Sequence, residues 1–190
     1  MTSDKDENSH WIRRPHAGFF RGKLKKFKRR DELWTLERLF ESMELNIDAR
    51  YRSPSLLKND PPDVVAEDME GNSVGFELTE FVDQSSVASA DKGGRTIRWW
   101  NLKDIIEELE SIIMEKDSID YGRSKFHEMV LVIFTDEYTI EFGKFSKDIA
   151  DYEFPELSNI DKVYLLFSFD PRVGEGDPYI QLTTHTKISN

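Results

Sequence analysis

Pro61-Pro62-Asp63-Val64-Val65-Ala66-Glu67-Asp68, a short polar turn, then Gly75-Phe76-Glu77-Leu78-Thr79-Glu80-Phe81 reads as two strands joined by a tight hairpin. Asp63 stands at the mouth of the first strand and Glu77 lies inside the second. Side chains alternate between the faces of a strand, so Gly75, Glu77, Thr79 and Phe81 share one face, and Val74, Phe76, Leu78 and Glu80 share the other. With the turn centred between Glu70 and Gly71, Asp63 falls across from the step between Glu77 and Leu78. Two carboxylates that converge repel unless a cation meets them. A half-apolar strand cannot hold an acid cheaply without such a charge.

The flanking segments predict an α/β domain. Leu33, Leu36, Leu39, Phe40 and Met43 recur at helical spacing after Arg30, with Asp31 suited to the positive end of the helix dipole. Ser53-Pro54 through Pro61-Pro62 reads as loop, because proline disfavours helix and central strand alike. Trp99 to Lys116 has the pattern of a long amphipathic helix. Met129 to Thr135 and Val163 to Phe169 are continuous apolar runs of the kind found in strands buried on both faces. Phe145 to Tyr152 is a candidate short helix and Pro178 to Thr184 a candidate outer strand. The order predicts a central mixed β-sheet flanked by helices, with residues 1–29 as a basic flexible arm and 30–190 as a single domain.

Composition narrows the classes. Apolar residues make up 38% and charged residues 33% of 190, enough for a globular core. The chain has no cysteine, which excludes disulfides, thiol nucleophiles and cysteine-bound zinc. No apolar run approaches the roughly 18 to 20 residues of a membrane span, so the expectation is a soluble cytoplasmic protein with no membrane partner. Net charge is −11, unevenly spread: Trp11 to Arg30 holds nine Lys or Arg residues and no acid, leaving −20 on the rest. Arg21, Lys23, Lys25, Lys26, Lys28, Arg29 and Arg30 form the densest part, interleaved with aromatics. That pattern suits phosphate contact, because neutralising phosphates releases counterions. The same arm is also fit to fold back on the acidic body. His10, His16, His127 and His185 have no metal-ligand spacing, and Trp99-Trp100 reads first as core and helix anchor.

Pro62-Asp63, about a dozen residues, then Glu77-x-Thr79 resembles the motif of the PD-(D/E)xK nuclease superfamily, the restriction-endonuclease-like fold. The resemblance covers roughly residues 30 to 135. It implies Asp63 and Glu77 as ligands of Mg²⁺ or Mn²⁺, with Glu37 as a helix acid joining them. The family's lysine, two residues after the second acid, is replaced here by Thr79, which can orient a water but carries no charge. Some members move that lysine to the following helix. Lys103 is then the candidate, and Lys116 is disfavoured because it lies roughly 20 Å further along. Lys92, Arg95 and Arg98 are candidates to steady phosphates. The implied activity is phosphodiester hydrolysis of DNA or RNA, and a homodimer is compatible with it. Two alternatives stand beside the enzyme: an inactive member of the fold that binds nucleic acid or regulates, and a protein-interaction module using the acidic surface.

Overall fold

A computed structural model describes residues 25–58, 61–91, 97–168 and 173–185. The elements are helix α1 (Lys25–Leu45), strands β1 (Tyr51–Leu56), β2 (Val64–Asp68) and β3 (Ser73–Glu80), helices α2 (Gln84–Asp91) and α3 (Leu102–Asp117), β4 (Glu128–Thr135), α4 (Phe142–Ala150), β5 (Lys162–Phe167) and β6 (Tyr179–Gln181). The strands form one six-stranded mixed sheet in sequence order. β1, β2 and β3 pair antiparallel, β3, β4 and β5 run parallel, and β6 returns antiparallel.

Helices cover both faces of the sheet. Leu36, Leu39, Phe40 and Met43 of α1 pack on Val74, Phe76, Leu78, Val130, Val132 and Leu166. Ile105, Leu109 and Ile113 of α3, with Phe145 and Ile149 of α4, pack on Phe81, Met129, Leu131, Ile133 and Leu165. β4 is apolar from Met129 to Phe134 because both of its faces meet such a layer. Each fully buried side chain of this kind contributes about 1.5–3 kcal/mol.

The hairpin register follows from its turn. Asp68 Oδ1 accepts the backbone N–H of Glu70 (2.9 Å) and of Asn72 (2.8 Å), and Gly71 takes φ 88°, a value glycine adopts without penalty. The loop is therefore three residues, centred on Glu70, and Val64 pairs with Phe76, Val65 with Gly75 and Ala66 with Val74. One step further, Asp63 comes opposite Glu77.

Several boundaries differ from the sequence reading. α1 starts at Lys25 rather than near Arg30, so the helix takes in Lys25, Lys26, Lys28 and Arg29 of the basic segment. Ser53-Pro54, read as loop, lies in β1, an edge strand whose register shifts between Arg52 and Ser55 and where Ser53 has φ 56°. Proline is tolerated at such an irregular edge. α2 was not anticipated. α3 begins at Leu102, where Asn101 caps it by accepting the Asp104 N–H at 3.0 Å; Trp99 precedes it.

Candidate functional site

Asp63 and Glu77 are both buried and both project to the α3 side of the sheet. Asp63 Oδ2 accepts the Leu78 N–H at 2.9 Å. That bond holds the carboxylate beside β3, one residue from Glu77. Glu77, paired in register with Leu131 of β4, stands in an otherwise apolar layer. Its charge is met by Lys116, whose Nζ lies 2.7 Å from Oε1. A buried acid left without such a partner would cost several kcal/mol, on the order of 3 to 5.

Lys116, and not Lys103, is the lysine placed at Glu77. Lys103 is 81% exposed and pairs with Glu107 at 3.5 Å. It sits 13 residues before Lys116 on α3, roughly 20 Å away. Lys103 would be the nearer lysine only if the helix started next to the hairpin. Instead the chain runs on through α2, and α3 begins beyond the end of β3, where Trp100 meets Phe81 at a ring separation of 4.7 Å. The helix then returns along the sheet, and its last turn, not its first, reaches Glu77.

Glu37 is a second correction. It is exposed on α1, which covers the opposite face of the sheet, so it does not join Asp63 and Glu77. Thr79 lies half-buried on the face of Glu77. Arg98, expected near phosphates, instead pairs with Asp83 (3.3 Å) and Asp104 (3.7 Å) and lies over the Trp100 ring. Lys28 pairs with buried Glu32 at 3.1 Å; Arg29 is half-buried and Arg30 exposed. Arg21, Lys23, Lys92 and Arg95 lie outside the described residues, and of Lys25 and Lys26 only the backbone lies within them. Trp100 is buried as anticipated, whereas Trp99 is 78% exposed.

Tyr121 was not singled out, and a lone tyrosine in a polar stretch carries no signal in the sequence. It is buried beside the acids, with its hydroxyl donating to the Lys116 carbonyl at 3.0 Å. Burial, and then the negative charges of Glu77, Asp63 and Asp117, push its phenol far above the usual range. Two carboxylates supply hard oxygen donors of the kind Mg²⁺ takes, one or two at a time, with water and phosphate in its other positions. No group of three or more His, Cys, Asp or Glu placed to hold a metal occurs among the described residues.

No family model, curated protein or solved structure matches the chain. Among the described residues no helix is long and apolar enough to cross a membrane.

Proposed function

We propose that the chain is a metal-dependent nuclease of the restriction-endonuclease-like type. The observation that carries this reading is that buried Asp63 and Glu77 share one face of the hairpin at opposed positions, with Lys116 paired to Glu77. The element order also supports it: a helix, a hairpin bearing the two acids, a long helix, then a buried strand parallel to the second hairpin strand. In this reading Lys116 fills the role left open by Thr79.

Asp63 and Glu77 would hold Mg²⁺ or Mn²⁺. When bound, such an ion polarises a phosphoryl oxygen and lowers the pKa of its water. Lys116, held against Glu77, would supply positive charge to stabilise the charge that builds on an attacked phosphate, a form of preorganised electrostatic stabilisation. Thr79, on the same face, offers a hydroxyl to orient water. The Asp63 carboxylate, fixed by the Leu78 N–H, keeps its position without relying on long side-chain packing.

The test is cleavage of labelled single- and double-stranded DNA and RNA in Mg²⁺ or Mn²⁺, together with calorimetric Mn²⁺ titration. Asp63→Ala should abolish Mn²⁺ binding and lower cleavage by at least about a hundredfold. Cleavage that survives Asp63→Ala would sink the proposal. One observation favours a second reading, an inactive nucleic-acid binder: the Lys116–Glu77 pair already neutralises the buried acid. Nucleic acid binding with no response to metal would select it.

A further inference from the structure

The last turn of α3 is unusually well held. The final carbonyls of a helix have no partner inside it and ordinarily fray into water. Here the Ser118 N–H lies on the Met114 and Glu115 carbonyls (3.2 and 3.3 Å). The Lys116 carbonyl accepts the Ile119 N–H at 3.1 Å, and side chains from beyond the helix add a bond to it and to the next carbonyl. Tyr121 donates its hydroxyl to the Lys116 carbonyl at 3.0 Å, and Asn159 donates Nδ2 to the Asp117 carbonyl at 2.6 Å.

A third fastening runs the other way. The buried Asp117 carboxylate accepts the backbone N–H groups of Ser158 (2.9 Å), Asn159 (2.8 Å) and Ile160 (3.0 Å). That loop is itself anchored to the sheet, because Asp161 accepts the Met129 N–H at 2.8 Å and its carboxylate pairs with Arg123. The helix end is thus tied through the 158–161 loop to β4 and β5.

A lysine side chain is long and rich in rotamers, and a fraying helix end would add backbone motion to it. A misplacement of about 1 Å is enough to cost a catalytic group much of its effect. Lys116 stands between the fastened carbonyls of its own residue and the next, with its ammonium 2.7 Å from Glu77 and only 20% of its side chain exposed. We infer that Tyr121, Asp117 and Asn159 are positioning residues that fix Lys116 over the Asp63–Glu77 pair. As a statement about catalysis this rests on the nuclease reading; as a statement about where Lys116 stands it does not.

The labelling uses the full chain without metal or substrate, and turnover is read separately with both. Trace acetylation with acetic anhydride, read by mass spectrometry, gives the labelling of Lys116 relative to Lys103, the exposed lysine at the far end of the same helix. Tyr121→Phe keeps the ring and removes the hydroxyl, and Asn159→Ala removes the second fastening. Each should raise the Lys116 to Lys103 ratio by about five- to tenfold, the effect of losing one ordinary hydrogen bond. Turnover should fall by a similar factor with the Mg²⁺ dissociation constant unchanged. A ratio unchanged in both variants overturns the inference, as does a raised ratio with full turnover. Should Tyr121→Phe fail to fold, Asn159→Ala decides alone. Absence of metal-dependent cleavage in the parent chain would defeat the nuclease reading and leave the labelling result to stand separately.

Discussion

Lys116 and Glu77 show at the residue scale how much a buried acid depends on its cation. Removing one partner strands the other in an apolar layer, so Lys116→Met should cost about 3 kcal/mol. Removing both should cost less: Glu77→Gln with Lys116→Met is expected to recover about half of that loss in urea unfolding. Simple additivity would show that the two groups do not depend on each other. The same Lys116→Met variant separates structural from chemical roles. Relieved of a competing cation, the carboxylates should bind Mg²⁺ more tightly, while cleavage falls. A second residue, Ile47, concerns stability alone. It is 95% exposed and has φ 58°, just past the end of α1. A β-branched residue in the left-handed region is strained by roughly 1–2 kcal/mol, and the position after a helix usually goes to glycine or asparagine. Ile47→Gly is therefore expected to raise the denaturation midpoint by the equivalent of about 1 kcal/mol; a drop would mean that the exposed side chain has contacts of its own.

Among the elements, α2 is tied down most directly by a single acid. Asp83 Oδ2 accepts from the Ser86 N–H (2.8 Å) and from the Ser85 and Ser86 hydroxyls (2.6 Å each), while its own N–H donates to Glu137 Oε1 at 2.9 Å. Burial pushes the Asp83 carboxyl up, but the hydrogen bonds from Ser85, Ser86 and Arg98 outweigh it and bring it down to about 2. A carboxyl lowered on folding stabilises the folded state fully above its unfolded value of about 4. That stability, up to about 2 kcal/mol, is lost as pH falls from there through about 2. Stability measured between pH 4 and pH 2 should therefore decline less steeply in Asp83→Asn than in the parent; identical slopes would contradict the assignment. α2 also marks the limit of what the sequence reveals. The β2–β3 hairpin, β4 and β5 were legible because alternation or an unbroken apolar run belongs to each strand by itself. β1 was not, since Pro54 reads as loop unless its edge position is known. Lys116 was hidden for a related reason. Which end of α3 meets Glu77 depends on where α2 leaves the chain, and eight residues of small polar type announce neither a helix nor a direction. Tyr121 and Asn159 act through hydroxyl and amide contacts set by tertiary packing alone.

For the whole molecule the governing quantity is the separation of charge along the chain. The body is strongly acidic, and α1 enters it carrying Lys25, Lys26, Lys28, Arg29 and Arg30 near its positive end, where the helix dipole disfavours cations. Such an arrangement gains most when an external polyanion meets it. Each phosphate neutralised releases condensed counterions and contributes about 0.9 to the slope of log K against log salt on duplex DNA. Arg13, Arg14, Arg21 and Lys23 belong to the same basic stretch of sequence and lie outside the described residues. If all four contact phosphate, replacing them by glutamine should flatten that slope by about 3 to 4 units. Affinity should drop most at low salt, and the metal affinity of Asp63 and Glu77 should stay the same. A protein-interaction module acting through its acidic body requires the opposite: its basic partner would hold as well or better after the substitution, and added salt would weaken it with an unchanged slope. Fluorescence anisotropy of a labelled duplex across a salt series measures the first case, and the same series with a basic peptide measures the second. A slope unaffected by losing four cations would remove this end of the chain from any role in holding nucleic acid.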